Sequence, residues 1–458
     1  MGSAGIKTYD VVGIGFGPSN LSLATALDEI RAESGNPAMD ALFLEKQAVL
    51  GWHRGMLLPN TKMQVSFLKD LVTFRNPTSP YSFVSYLHAE GRLAAYANRA
   101  EFFPSRREFH DYLEWVESRF TEYVSYGSEV VSMRPVRAQD GTVDRLELEV
   151  RETTGGGRTV HARDVVVSTG LVPQMPDGFE RGASVLHSSE FLTRFQTMEP
   201  ERLRSVAVVG AGQSAAEVVR HLYDNLPDAD VYAILTPLGY SIADATPLAN
   251  QVFDPSSVDD FHFSSDKAKD AIWHYHRNTN YSVVDDDLIR DLYERRYADE
   301  VGRSTRLRFL NLSRARSAEA NGPRTRVAVE SLRSGAVESL EVDLLVCATG
   351  YQPMDPTRIL GEVADLCVKD EAGRLKLQRD YRVATGPEVQ CGIYLQGGTE
   401  HSHGLSASLL SNIAVRSGEI ANSIAQRRAR PAGGRDGDLP GPAGSVSAAN
   451  GRPDLAVV

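Results

Sequence analysis

The sequence predicts an α/β protein with two Rossmann-like dinucleotide-binding domains and a small helical region set into the second. Two glycine turns and a pair of matching strands carry that prediction. The first turn closes the apolar strand YDVVGIGFG, with Gly13, Gly15 and Pro18 in the three slots of GxGxxG. The second lies in SVAVVGAGQSAAEVVRHL, with Gly210, Gly212 and Ala215 in those slots. The matching strands, VVVSTG at 165–170 and LLVCATG at 344–350, end alike in small residues, as chain crossings between two such domains do.

In each turn the first two glycines let the chain reverse and bring backbone close to a pyrophosphate, whose charge sits at the next helix's N-terminus. In the first unit the helix SNLSLATALDEI follows at once, and Pro18 suits a first helical turn. The next strand, ALFLEK, ends in Glu45, the acid expected at a ribose hydroxyl. In the second unit Gln213 and Ser214 open the helix and join the phosphate-binding set. Its second strand, VYAILTPLGY, ends without an acid, and Thr236 and Pro237 stand where an arginine for a 2′-phosphate would be. Two nucleotide units of this kind, bracketed by crossing strands, fit FAD in the first domain and NAD(P)H in the second.

The expected organisation is a discontinuous FAD domain over 1–170 and 340–425 and a nicotinamide domain over 171–339. A substrate-binding insertion occupies about 241–300, and a Pro/Gly/Ala/Ser-rich tail over 428–458 reads as disordered. Apolar residues make up 42 % and charged ones 24 %, ordinary values for a globular protein. A net charge of −11 argues against nucleic acid or an anionic membrane surface as partner. No apolar run reaches the roughly 18 residues that cross a bilayer. MGSAGIKTYD lacks a secretion pattern, and Cys347, Cys367 and Cys391 form no CxxC pair. A cytoplasmic protein without a metal or dithiol site is therefore expected.

Between the units, KMQVSFLKDL (62–71) places Lys69 in an apolar setting. A lysine there is costly unless an anion sits against it, and the carboxylate of an amino-acid substrate beside a flavin would serve. His53, after Trp52, either lies along the flavin or is a packed core residue. Gly182, His187 and Phe191 form a degraded glycine–histidine–aromatic pattern, for which a linker histidine is the plainer reading. Asn250 and Asn280, in the polar insertion, can hold a carboxylate or an amine without bringing charge. After the return strand, HGLSASLLS leads into a helix whose N-terminus would face the flavin ring.

DVVGIGFGPSNLSLA, KMQVSFLKDL, FFPSRREFHDYLEW, GAGQSAAE, NTNYSVV, CATGY and HGLSASLLS together resemble the microbial N-hydroxylating flavoprotein monooxygenases. The likeness is greatest to the L-ornithine N5-monooxygenases, including those of piperazate-forming actinobacterial pathways, and it runs from residue 9 to about 425. It implies FAD, NADPH, L-ornithine and molecular oxygen, with oxygen activated as a C4a-hydroperoxyflavin, in siderophore or piperazate-type biosynthesis. Lysine or a diamine is the alternative substrate, and a reductase without oxygen insertion the alternative reaction. It implies substrate contacts from Lys69, Asn250, Asn280 and Ser408. Met63, Gln64 and Leu405 would lie at the flavin, Arg106 would be a cofactor-binding arginine of the active-site region, and relatives' assemblies suggest a homo-oligomer, a tetramer by analogy. It names no catalytic acid or base.

Overall fold

In the computed structural model residues 6–34 and 39–429 are described; most of the expected tail lies outside them. Thr8–Ile14 is flanked in parallel by Ala41–Glu45 and by the end of Gly157–Val167. Val124–Tyr126 extends the sheet beside Ala41–Glu45, and Gly392–Leu395 closes it on the far side of Gly157–Val167. Strands covered on both faces need apolar residues facing both ways, which is why VVGI, LFL and GIYL run without alternation. Gly157–Val167 is long enough to serve twice: its first half pairs antiparallel with Val143–Glu152, which pairs with Ser128–Arg137. That meander covers one face of the sheet over a core including Leu146, Leu148, Val165 and Ile393. Helices Pro18–Ser34, Arg106–Glu117 and Ile413–Ala429 cover the other.

The second domain repeats the plan. Its parallel sheet runs Leu307–Leu310, Asp230–Ile234, Ser205–Val209, Leu344–Cys347, Val185–His187. Val206, Val208 and Val346 face helices Gln213–Asn225 and Asp286–Val301. Ala207, Leu345 and Cys347 face a three-stranded antiparallel sheet, Ser313–Asn321, Arg324–Ser331 and Val337–Val342.

Two boundaries differ from the expected ones. Leu344–Cys347 belongs to the second sheet, so the chain returns near Gly350 rather than at 340. There Tyr351–Pro353 pairs antiparallel with Leu171–Pro173, so both crossings run as one two-stranded ribbon. The last helix also continues past the expected tail start, ending at Ala429 with Arg428 paired to Asp10.

The insertion folds as helices Ser257–His262 and Asp266–His276 and a turn over Arg277–Thr279. It docks on the first domain: His262 Nδ1 lies 3.1 Å from the Ser402 carbonyl, and Arg379 pairs with Asp259 as well as with Glu419 at 2.8 Å. No helix among the described residues is long and apolar enough to cross a membrane.

Candidate active site

The two glycine turns superimpose in logic but not in the expected register. Strand Thr8–Ile14 ends one residue before Gly15, and Ser205–Val209 ends one before Gly210. Gly15 (φ +84°) and Gly210 (φ +143°) are therefore the equivalent first glycines. A Cβ on Gly15 would stand 2.4 Å from the Ser168 carbonyl oxygen, and one on Gly210 would stand 2.3 Å from that of Ala348. Each turn thus abuts the end of its own crossing strand, which explains the small residues of STG and ATG. Gly13 instead lies within the strand, packed on the Phe43 ring, and Pro18 is the first helical residue. The true slots are Gly15, Gly17 and Asn20, so the expected assignment of Gly13 and Pro18 as turn residues is corrected. Asn20 is fully buried, and its Nδ2 donates to the Gly15 carbonyl at 2.7 Å. The signal was present: proline favours the first helical position, which makes Gly17 the residue before the helix.

The residues fit two nucleotides. A Cβ on Gly17 would meet nothing within 4 Å, and one on Gly212 nothing nearer than Ser282 Cα at 3.8 Å. Space is therefore free above both helix N-termini, where phosphates are favoured. Glu45 is buried at the end of its strand, and its carboxylate accepts from Phe16 N at 2.7 Å and Gln47 N at 2.8 Å. It braces the turn and keeps lone pairs for a ribose hydroxyl. Gln213 and Ser214 open the second helix as expected.

His53 adopts a left-handed backbone (φ 50°), with Trp52 and Tyr351 rings at 4.8 and 6.1 Å. The residue is exposed, although neighbouring protein crowds its ring. That enclosure, and secondarily the Arg106 charge, pushes its pKa down from 6.5 to about 4. The folded protein therefore refuses a proton that the unfolded chain accepts, so stability is lost as pH falls from 6.5 towards 4. In His53→Asn the acid-side loss of stability over that interval is expected to be shallower in denaturation curves. His187 is not a linker residue: it ends strand Val185–His187 of the second sheet. It is fully buried, with Nδ1 3.0 Å from Ser189 N and Nε2 3.0 Å from the Gly350 carbonyl, which ties that strand end to the return crossing.

Met63 is buried in the core of the first domain, whereas Gln64 is exposed. Lys69 is half-buried; its ammonium lies 6.0 Å from the rings of Phe74 and Phe253 and has no carboxylate at ion-pair distance among the described residues. Burial lowers its pKa, and Asp254 partly opposes this. Phe253 belongs to the turn Ala249–Phe253, which carries Asn250 and packs against the turn Leu405–Ser408. Lys69, Asn250 and Ser408 are thereby drawn to one region. Asn250 Nδ2 donates to the Ala245 carbonyl at 3.0 Å, and Ser408 Oγ accepts from Gly398 N at 2.8 Å. Leu405 is buried at the start of its turn. Asn280 follows Arg277–Thr279, and a hydrogen bond from Asp244 N to the Asn278 carbonyl (3.2 Å) ties that loop to the start of the insertion.

Arg106, expected in the cofactor-binding region, is engaged by protein groups. Its guanidinium donates to both oxygens of Glu217 at 2.8 and 2.9 Å and to the Met56 carbonyl at 2.9 Å. Glu217 projects from the second nucleotide helix with its side chain 1 % exposed, so the pair bolts the two domains together. Arg106→Ala would strand a buried carboxylate and is expected to cost about 3–5 kcal/mol, read as a lower denaturation midpoint. Glu217 and Asp285 were not anticipated. Glu217 was visible only as an acid on the inward side of an apolar helix.

The family profile described as L-lysine 6-monooxygenase/L-ornithine 5-monooxygenase matches residues 7–353. The ornithine N-hydroxylase of Kutzneria sp. 744, whose structure is described with reduced FAD, NADP⁺ and L-ornithine, is 56 % identical. It has a TM-score of 0.88 and covers 92 % of this chain and 100 % of its own. The L-ornithine N(5)-monooxygenase of Pseudomonas aeruginosa is 37 % identical over 423 residues, 91 % of this chain and 94 % of its own. An L-lysine 6-monooxygenase from Pseudomonas syringae is 32 % identical with a TM-score of 0.79, covering 92 % of this chain and 99 % of its own. With two nucleotide turns and these matches, the chain belongs to the L-lysine 6-monooxygenase/L-ornithine 5-monooxygenase family.

Proposed function

We propose that the protein is an FAD- and NADPH-dependent monooxygenase that hydroxylates the side-chain amine of L-ornithine to N5-hydroxy-L-ornithine. The observation that carries the substrate is Lys69, a half-buried ammonium without a carboxylate partner among the described residues, in the stretch expected to line the flavin. The family's lysine and ornithine branches are separated by the 56 % identity to an ornithine enzyme against 32 % to a lysine enzyme. The balance is R–NH2 + O2 + NADPH + H⁺ giving R–NHOH + H2O + NADP⁺. When bound, FAD supplies the chemistry that accepts a hydride and delivers one oxygen atom of O2 to the amine.

The chain's own residues bind, orient and exclude water. In this reading Lys69 holds the α-carboxylate, with Asn250, Asn280 and Ser408 completing the polar wall. The reacting amine must be neutral, although a free alkylamine titrates near 10.4. A site that withdraws it from water lowers that value. Anchoring the far end at Lys69 also sets a length, and a pocket discriminates one methylene by about 1–3 kcal/mol. Ornithine should therefore outcompete lysine by about ten- to a hundred-fold in kcat/KM. A steady-state comparison of ornithine, lysine and diamines, scoring hydroxylamine formed per NADPH, tests this. Equal or better hydroxylation of lysine or a diamine would reverse the substrate assignment.

The reading extends to a homo-oligomer in the cytoplasm. An exposed row of Tyr293, Tyr297 and Val301 on helix Asp286–Val301 supports self-association. Three unpaired cysteines suit a reducing compartment.

A further inference from the structure

Asp285 stands where three functional segments meet. It ends the NTNYSVV loop that carries Asn280 and immediately precedes helix Asp286–Val301. One carboxylate oxygen accepts from Gln64 Nε2 at 3.1 Å, and the other from Gln213 Nε2 at 2.9 Å. Its backbone N–H returns a bond to Gln213 Oε1 at 2.9 Å. Gln64 lies in the stretch expected to line the flavin, and Gln213 is the first residue of the nucleotide helix. Gln213 Nε2 also reaches Glu217 Oε1 at 3.1 Å, which links Asp285 to the Arg106–Glu217 bolt.

This arrangement needs a carboxylate. Gln213 cannot turn its amide over, because its oxygen is engaged by Asp285 N and its nitrogen by two acids. Gln213 is therefore a fixed donor, and Gln64 donates from its Nε2, so the carboxylate serves both with its two acceptor atoms. Asparagine, of equal size, would offer one acceptor, and would keep the Gln64 bond only if that exposed amide turned over. Asp285 bonds no glycine of either turn, so its effect must pass through Gln64 and Gln213.

We propose that Asp285 is a positioning residue for hydride transfer, its carboxylate fixing the head of the nucleotide helix against the flavin-lining stretch. The transfer moves a hydrogen with its electron pair from the dihydronicotinamide to the flavin and needs no further reactant. Transfer rates fall steeply when reacting atoms are displaced by an ångström, so a loose joint lowers the rate without removing either binding site. The proposal rests on the assignment of FAD and NADPH to the two turns, and not on the identity of the amine.

The test compares wild type with Asp285→Asn and Gln64→Met. Flavin reduction by NADPH, followed anaerobically in a stopped-flow instrument, is expected to slow at least tenfold in Asp285→Asn. KM for ornithine should stay within twofold. Gln64→Met removes one of the two bonds and should slow reduction less, and the double variant should be no slower than Asp285→Asn, because the residues act as one unit. Amide hydrogen exchange, which does not depend on turnover, should rise at residues 213–216 in Asp285→Asn. Wild-type reduction rates, additive effects in the double variant, or unchanged exchange would each overturn the proposal, as would lowered thermal stability with reduction intact. Should the wild-type enzyme hydroxylate another amine, these measurements would still decide the role of Asp285.

Discussion

Lys69→Ala is expected to leave the flavin reducible by NADPH while raising KM for ornithine by about 10²–10³-fold. Removing one partner of a desolvated charge pair costs about 2–5 kcal/mol, and each 1.4 kcal/mol is about tenfold. The carboxylate end of the substrate would then be held only by neutral groups. Reduced flavin should still react with oxygen, so hydrogen peroxide should replace hydroxylamine as the main product. The argument starts from the structure's own imbalance. The ammonium is half-buried against Phe74 and Phe253, its pKa is lowered by burial, and no acid pairs with it among the described residues. A cation in that position is stable only if something anionic arrives. Lys69→Arg keeps the charge on a longer, planar group, and an intermediate KM is expected. Unchanged KM in Lys69→Ala would move the carboxylate site elsewhere.

The second large effect separates the two nucleotide sites. Gly210→Ala is expected to yield a yellow protein that NADPH cannot reduce, and Gly15→Ala a protein purified without flavin. In both, the added Cβ would stand under 2.5 Å from a backbone carbonyl, Ala348 or Ser168, that belongs to a buried strand end and cannot swing aside. Both glycines also have positive φ, which costs a side chain further. Relief requires the turn to shift away from its crossing strand, carrying the backbone amides off the pyrophosphate. Dithionite should still reduce the Gly210→Ala flavin, which distinguishes lost NADPH binding from a damaged flavin site. A colourless Gly210→Ala protein would mean that the two domains fold as a single unit.

Much of this was legible in the residues. The two strand–turn–helix units, the crossing strands and the insertion all announce themselves, because glycine turns and buried parallel strands have few alternative uses. The register of the first turn was not, because GIGFGP offers three glycines and GxGxxG can be laid on the earlier pair. Pro18 at the first helical position favours the later pair, and strand length with the carbonyl of Ser168 beside Gly15 selects it. The return crossing was placed near 340 because LLVCATG marks the change of domain, but that strand still hydrogen-bonds inside the second sheet. The joint between the domains was least visible. Arg106 and Glu217 are 111 positions apart, and Gln64 and Asp285 are 221 apart, so no local pattern links them. Arg106 was found as a residue of the active-site region, but its partner belongs to tertiary structure. The reading of Lys69 rests least on the fold, since a lysine in an apolar stretch calls for an anion wherever the chain places it.

The most direct test of the central claim is turnover of the purified protein with NADPH and L-ornithine under 18O2, with mass analysis of the product. The account predicts N5-hydroxy-L-ornithine carrying one 18O atom, formed only when NADPH, oxygen and ornithine are all present. Consumption of NADPH with hydrogen peroxide as the sole oxygen product, whichever amine is supplied, would contradict it.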